Sequence, residues 1–208
     1  MSVNLKSLVA KLNDTTRAAL EAAAGLCLSR TNYDVEIEHF LMKLLDSTNG
    51  DLGPIMKRFE VDRSRFAAEL TRSLDKLKSG NARTPALSPY LLKMFTEAWT
   101  LGSINFGAAE IRSGFAILAL AATEDLARLM RDVSREFQKI DAEALRKEIA
   151  TRIQSETGLV VTRVVLVPVG SLLRTTSGKL QRRKMKQLYE RGELPRMESS
   201  ANGLKVED

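Results

Sequence analysis

The stretch Glu36-Ile-Glu-His-Phe-Leu-Met-Lys-Leu-Leu45 is typical of a short turn followed by an amphipathic helix. Its apolar residues recur at helical spacing, so one wide face of the helix is apolar. This face is formed by Phe40, Leu41, Leu44 and Leu45. The stretch therefore predicts a helix with a broad apolar face, around which the rest of the chain is organised.

The same pattern returns in Glu110-Ile-Arg-Ser-Gly-Phe-Ala-Ile-Leu-Ala-Leu120, with Glu110 standing 74 positions after Glu36. The pairs Asp51-Leu52 and Asp125-Leu126 keep the same offset. Self-similarity at a fixed offset indicates two copies of one structural unit. We therefore predict a multi-helix unit, used twice, in the first two thirds of the chain, followed by an unrelated C-terminal third.

The composition favours a mainly α-helical protein with an aliphatic core. Of the 208 residues, 44% are hydrophobic but only 5% are aromatic, and only five are prolines. The net charge of +6 is concentrated in residues 149–208, which hold 11 Lys and Arg against 6 Asp and Glu. Such a basic segment fits either an anionic partner, nucleic acid or acidic lipid, or a solvated charged helix.

The sequence also predicts that several classes of site are missing. Cys27 is the only cysteine and His39 the only histidine, which argues against a disulfide framework and a structural zinc site. We expect His39 to fix a turn by hydrogen bonding and Trp99 to anchor a core. The N-terminus does not resemble a signal peptide, and no apolar run is long enough to span a bilayer. We expect a cytoplasmic protein that uses no cofactor and no membrane partner.

Apolar periodicity and capping residues predict the order of helices in residues 1–148. Asn13-Asp14, Asp62 and Ser88-Pro89 are expected to open helices, and a last helix is expected to run from Ser134 through Leu145 without a break. The predicted helices before it are residues 4–11, 15–29, 37–45, 52–59, one after Asp62, one after Ser88, 111–122 and 124–130.

Residues 35–45 resemble the "E-H-L-L-x-x-L-L" signature of the Clp N-terminal domain, which precedes the ATPase modules of Clp/Hsp100 unfoldases. The second copy departs from it, with Arg112-Ser113-Gly114 in place of Glu38-His39-Phe40. Within that family, the segment before the first repeat and the stretch from Leu87 are most similar to the ClpV group, which recycles the contracted sheath of type VI secretion systems. The resemblance covers about residues 3–148. It implies a double four-helix pseudo-repeat with an extra N-terminal helix.

The resemblance implies a non-enzymatic domain that binds an N-terminal helix of a type VI sheath subunit. A helix of this kind needs an apolar groove with small residues that admit its backbone. One edge is predicted from the N-terminal helix and the other from the alanine-rich helix that follows. The alternative is that the same residues are ordinary core. The candidate partner-binding residues are Leu5, Leu8, Val9, Leu12, Ala19, Ala22, Ala23 and Leu26.

The C-terminal part resembles a different family. Leu173-Arg-Thr-Thr-Ser-Gly-Lys-Leu-Gln-Arg-Arg183 is similar to the last motif of acyl-adenylate-forming enzymes, particularly fatty-acyl-AMP ligases, with Leu173 in place of a proline. In that family the lysine matching Lys179 steadies the forming acyl-adenylate. A phosphate-binding loop is excluded, because that motif needs glycine at 173 and Ser or Thr at 180, where this chain has leucine.

Only about the last 50 residues of the ligase family are represented in residues 149–194, so we expect Lys179 to have no catalytic role. This part is predicted to contain a strand at 159–169 and a basic helix at 181–191, with a disordered tail at 195–208. The chain then has the organisation of a gene fusion whose junction falls inside a helix. The remaining alternatives are a ligase accessory piece that donates Lys179 in trans, a nonfunctional remnant, and, last, a nucleic-acid binder.

Overall fold

The computed structural model of the chain describes residues 5–157, 173 and 181–193. Contacts divide the chain into two units, Met1–Val160 and Val161–Asp208. In the first unit, short polar segments separate helices with apolar faces. These helices are α1 (Leu5–Val9), α2 (Asp14–Ser29), α3 (Ile37–Asp46), α4 (Leu52–Arg58), α5 (Arg63–Leu74), α6 (Pro89–Phe106), α7 (Ser113–Ala122), α8 (Glu124–Val133) and α9 (Ala142–Thr157).

A side-chain cap is present at each of the three predicted helix starts. The side-chain oxygen of Asn13 accepts a hydrogen bond from Thr16 N at 3.0 Å at the start of α2, and Asp62 accepts one from Arg65 N at 2.9 Å before α5. Ser88 accepts one from Leu91 N at 3.2 Å, with proline at the first position of α6. Each cap satisfies a backbone N–H that the helix itself leaves unpaired. The three predicted helix starts are confirmed.

The two copies of the repeated helix, α3 and α7, lie at the centre of the first unit. Helix α3 packs against α2 and α5, and α7 packs against α6, α8 and α9. In α7 every residue from Ser113 to Leu120 is buried. The Phe40 ring of α3 meets the Phe95 ring of α6 edge to face, with 5.2 Å between centroids. The predicted mainly α-helical fold built on a repeated unit is confirmed.

The two repeats are joined by a pair of short parallel strands and by an isolated bridge. The sequence pattern does not predict either of them. Strands β1 (Asp34–Val35) and β2 (Ala86–Leu87) pair in parallel, immediately before α3 and α6 respectively. A further parallel bridge joins Leu12 to Ile111, where Ile111 N donates to the carbonyl of Lys11 at 2.7 Å. Strands of two residues are too short to show an alternating pattern, so only the tertiary structure reveals them.

The prediction of one unbroken helix from Ser134 through Leu145 is wrong. A 3₁₀ turn at Phe137–Lys139 is followed by Ile140 in an extended conformation, and α9 begins after it. Asp141 opens this new helix by accepting a hydrogen bond from Ala144 N at 2.7 Å. Phe137 and Ile140 are both buried. Tertiary hydrogen bonds hold the chain in this turn, because the Glu69 carboxylate accepts from the Ser134 hydroxyl at 2.5 Å and from Glu136 N at 3.2 Å.

Helix α9 continues through residue 148 to Thr157, so the predicted domain boundary at 148 falls inside a helix and stays a prediction. In the second unit, the predicted basic helix is observed as α10 (Arg182–Glu190), preceded by a hydrogen bond from Gln181 N to the carbonyl of Leu173 at 2.9 Å. The predicted strand at 159–169, Lys179 and the tail at 195–208 lie outside the described residues. Across the described part, no helix is long and apolar enough to cross a membrane.

His39 fixes the turn before α3, as predicted. Its Nδ1 accepts a hydrogen bond from Glu36 N at 3.0 Å, and its Nε2 lies 3.1 Å from the side-chain oxygen of Asn32. The ring is fully buried, and this burial, together with the nearby Arg30, lowers the pKa of His39 to about 4. The neutral ring matches this arrangement, because Nδ1 needs a lone pair to accept from Glu36 while Nε2–H donates to Asn32.

Lowering the pH from 7 to 5 is expected to reduce the free energy of unfolding by about 2 kcal/mol through His39 alone. The unfolded chain gains a proton near pH 6.5, whereas folded His39 stays neutral until about pH 4. Stability is therefore lost as the pH falls through this window. Urea unfolding at both pH values measures it, and the His39→Gln variant is the reference because the chain has no other histidine. Equal pH dependence in both proteins would contradict the prediction.

Candidate functional site

The N-terminal helix α1 is held against the second half of the first unit. It packs on α6, and the ammonium of Lys11, just after α1, lies 4.8 Å from the centroid of the Trp99 ring. The bridge between Leu12 and Ile111 continues the attachment. Trp99 is half-buried, so it packs partly in the core, as predicted. The exposed part of its ring makes a cation–π contact with Lys11. A helix of five residues is thus kept in place by tertiary contacts rather than by its own length.

The four predicted binding residues in this N-terminal segment differ in exposure. Leu8 and Leu12 are buried, at 6% and 1% exposure, and belong to the main core. Val9 is half-buried, and Leu5 is 44% exposed. The burial of Leu12 follows from its pairing with Ile111, which draws it inward. Only Leu5 and Val9 therefore present apolar surface that a partner can reach in this structure.

The predicted residues of α2 divide in the same way. Ala19 and Ala23 are buried, at 4% and 0% exposure, because this face of α2 belongs to the main core. Ala22 is exposed and Leu26 is half-buried. We call Leu5, Val9, Ala22 and Leu26 the accessible set. Four of the eight predicted residues are thus core residues, and partner contact by the accessible set stays a prediction.

Sequence reasoning missed three further small residues on the exposed side of α2. Ala18, Gly25 and Ser29 are exposed and follow helical spacing with Ala22. A Cβ atom placed on Gly25 would meet nothing within 4 Å, so this side is open. The i, i+4, i+7, i+11 spacing was the available signal, because it marks a stripe of small side chains along one face. Such a stripe lets another helix approach closely.

The charged side chains of residues 5–13 are both cationic, whereas the exposed Asp14 and Glu110, close to the bridge between Leu12 and Ile111, are acidic. Lys6 and Lys11 are both exposed, and the described part of the N-terminal segment, residues 5–13, contains no acidic residue. A partner that lies along this segment is therefore favoured if it carries carboxylates nearby. Elsewhere, the described residues contain no cluster of three or more His, Cys, Asp or Glu side chains that could hold a metal ion.

A hydrogen-bond network around Asp51 links the two repeats. The Asp51 carboxylate accepts hydrogen bonds from Gly114 N at 2.9 Å, from the Ser113 hydroxyl at 3.1 Å and from Arg112 at 2.9 Å. The Ser113 hydroxyl in turn accepts from Asp51 N at 2.9 Å. Although burial opposes ionisation, these donors hold the pKa of Asp51 below its usual value. The turn before α4 is thereby fastened to the N-terminus of α7.

Comparison with known proteins shows which family this helical unit resembles. The family model of the Clp repeat (R) N-terminal domain matches residues 11–133. The AAA+ ATPase ClpV1 of Pseudomonas aeruginosa is 32% identical over 139 residues, which are 67% of this chain and 15% of ClpV1. The N-domain of ClpV from Vibrio cholerae is 31% identical, with a TM-score of 0.64, over 74% of this chain and 92% of that domain. The ClpV N-domain solved in a complex with a VipB peptide is also 31% identical, with a TM-score of 0.61. This similarity covers 74% of this chain and 94% of that domain.

The chain thus spans only a small fraction of the length of ClpV1, and the similarity concerns the N-terminal domain. The match to the family model lies within the helical unit, and the likeness of residues 149–194 to adenylate-forming ligases stays a prediction. The matched region holds both copies of the repeated helix, α3 and α7. The chain therefore belongs to the Clp repeat N-terminal domain family and is homologous to the N-domain of ClpV.

Proposed function

We propose that this chain is a non-catalytic, cytoplasmic peptide-binding domain of the ClpV type. Its partner is the N-terminal helix of a type VI secretion sheath subunit. The observation that carries the proposal is the similarity to the ClpV N-domain solved in complex with a VipB peptide, at 31% identity over 74% of this chain. In this proposal the domain recognises a substrate, and any energy-dependent step belongs to ATPase modules.

The accessible set supplies the apolar contact in this proposal. Leu5 exposes 44% of its surface on α1, although water disfavours a large apolar side chain. The small side chains of α2 at Ala18, Ala22 and Gly25 leave room for a partner backbone. Lys6 and Lys11 favour carboxylates on the partner. Together these features fit an amphipathic helix that places one apolar side chain on Leu5 and its small or polar face near α2.

Replacing Leu5 by aspartate is expected to raise the Kd for a labelled peptide from the N-terminus of VipB at least about 10-fold. The loss follows because the bound state would bury a carboxylate where it now buries an apolar side chain. Fluorescence anisotropy with the full chain measures the Kd. Leu5 is the suitable position because Leu8→Asp would place a charge in the core and unfold the protein.

The matched control is Tyr90→Asp. Tyr90 is also an exposed large side chain, at 45%, and it lies about 180° around α6 from Trp99, whose ring contacts Lys11. The Tyr90→Asp variant should bind the peptide with unchanged Kd. Equal weakening in both variants would show a non-specific effect of charge, and a wild-type chain that does not bind the peptide would remove sheath recognition as its function. A parallel titration with a non-hydrolysable acyl-AMP analogue tests the ligase alternative, in which Lys179 acts in trans.

A further inference from the structure

The turn between α3 and α4 contains an asparagine that is followed directly by glycine, Asn49-Gly50. Thr48 and Asn49 lie outside helix and strand, and both are exposed. Within the part of the chain that the structure describes, the Asn49 side chain makes no hydrogen bond. Its carboxamide therefore stands in water beside a backbone nitrogen that no Cβ shields, because the next residue is glycine.

An asparagine in this position can react with the backbone that follows it. The nitrogen of Gly50, after giving its proton to water or hydroxide, attacks Cγ of Asn49. The bond from Cγ to the side-chain nitrogen breaks, that nitrogen leaves as ammonia, and a five-membered succinimide ring forms. Water then opens the ring at one of its two carbonyls. Opening at Cγ gives aspartate, and opening at the backbone carbonyl gives isoaspartate, in which the chain runs onward through Cγ.

No other asparagine among the described residues combines these features. The side chains of Asn13, Asn32 and Asn81 are held by hydrogen bonds, which they would lose on turning toward the next backbone nitrogen. Asn105 is half-buried in α6 and is followed by Phe106, whose side chain hinders attack by its own nitrogen. Within this part of the chain the reaction is therefore favoured at position 49.

The position of this dipeptide in the fold gives the reaction a structural consequence. Isoaspartate lengthens the backbone by one carbon atom, two residues before Asp51. The Asp51 carboxylate accepts a hydrogen bond from Gly114 N at 2.9 Å, and Asp51 N donates one to the Ser113 hydroxyl at 2.9 Å. A displacement of about 1 Å takes hydrogen bonds of this length out of range. The added atom thus acts on the network that links the two repeats.

We propose that Asn49-Gly50 is a site of spontaneous modification. Isoaspartate forms at position 49 as the protein ages, and it loosens the attachment of the turn before α4 to the N-terminus of α7 through Asp51. Both products add one negative charge to the turn, but only isoaspartate adds a backbone atom. This difference separates the effect of charge from the effect of chain length.

Incubation of the full chain at mildly alkaline pH, followed by peptide mapping with mass spectrometry, tests the modification. The peptide that contains Asn49 should gain one mass unit, and an isoaspartate methyltransferase should label it. The rate should rise with pH, because the deprotonated backbone nitrogen is the attacking form. A second pair, Asn202-Gly203, lies outside the described residues, and peptide mapping separates its products from those of the first pair.

The matched control for the chemistry is Gly50→Ala. A Cβ at Gly50 would lie 3.4 Å from Leu44 Cδ1 and 3.5 Å from Ser47 Oγ, which are ordinary contact distances, and the φ angle of Gly50 is not positive. The variant should therefore fold, as circular dichroism checks, while conversion at Asn49 slows at least about 10-fold. Equal rates in wild type and Gly50→Ala, or no isoaspartate at position 49 in wild type, would overturn the proposal.

Urea unfolding tests the effect on Asp51. Aged wild-type protein should unfold at lower urea than fresh protein, whereas freshly purified Asn49→Asp, with the charge but not the added atom, should keep its midpoint. Aged Gly50→Ala, which retains the Asn202-Gly203 pair, should keep its midpoint as well. In Asp51→Ala the network is already lost, so ageing should lower the midpoint much less. Aged wild type as stable as fresh, or equal losses in wild type and Asp51→Ala, would refute the link to Asp51.

Discussion

Replacing Phe40 by alanine is expected to lower the free energy of unfolding by about 4 kcal/mol. Phe40 is fully buried in α3, and its ring meets Phe95 of α6 edge to face at 5.2 Å. Truncation removes this aromatic contact and leaves a cavity where the helices of the two repeats meet. Urea unfolding at pH 7 measures the loss, and we expect a lower midpoint with a similar dependence on urea concentration.

The contribution of the aromatic pair itself is measured by a double-mutant cycle. Phe40→Ala and Phe95→Ala should show a coupling of about 0.5 to 1.5 kcal/mol, because each removes the same ring contact. Leu28→Ala, at an exposed leucine of α2, is the control and should change stability by less than about 0.5 kcal/mol. A loss at Phe40 as small as that at Leu28 would mean that α3 is not at the centre of the core.

The helical framework was predictable because its signals are local. The caps at Asn13 and Ser88 act within three residues, and the apolar face of α3 is visible in ten consecutive residues. The apolar residues of α7 alone do not distinguish a helix from a buried strand. Because the pattern of α3 recurs there, the repeat indicates that α7 is a helix as well. A short-range signal that occurs twice is sufficient to position the central helices.

The break at Ile140 could not be predicted for the opposite reason. Residues 134–145 contain no glycine or proline, and the local signal of a new helix, the cap at Asp141, competes with an apolar spacing that continues across it. The interactions that hold the turn before Asp141 are distant. The side chain of Glu69 accepts a hydrogen bond from Glu136 N at 3.2 Å, and that of Glu136 accepts one from Asp62 N at 2.8 Å. These contacts join segments more than 60 residues apart, so tertiary structure overrides propensity at this place.

The candidate site was predictable only as a group of residues. Spacing shows that Leu5, Leu8 and Leu12 share a face, but not which of them the core takes. The pairing of Leu12 with Ile111 settles it, and that bridge joins residues 99 positions apart. Likewise Ala22 and Ala23 are adjacent small residues, and only the contact of α2 with α3 separates the exposed one from the buried one. Exposure, which decides whether a residue can bind, is a tertiary property.

Replacing Asp51 by alanine is expected to cost about 3 kcal/mol of stability, although Asp51 lies in a turn. Its carboxylate is only 17% exposed and accepts hydrogen bonds from the backbone of Gly114 and from Arg112. Alanine leaves the N–H of Gly114 without its acceptor at the start of α7. Because that helix is in the second repeat, the substitution should also weaken the attachment between the repeats, and thermal and urea unfolding both measure it.

Two variants separate the charge of Asp51 from its hydrogen-bonding role. Asp51→Asn keeps an oxygen that can accept from Gly114 N but loses the attraction to Arg112, so it should lie between wild type and Asp51→Ala. The repeat-equivalent Asp125 is the control: its side chain is 45% exposed and paired with Lys93, so Asp125→Ala should cause a much smaller loss. Equal losses of stability at positions 51 and 125 would mean that both aspartates act only as surface ion-pair partners. A difference would show that the repeats, although alike in sequence at these positions, are fastened to each other through the first copy.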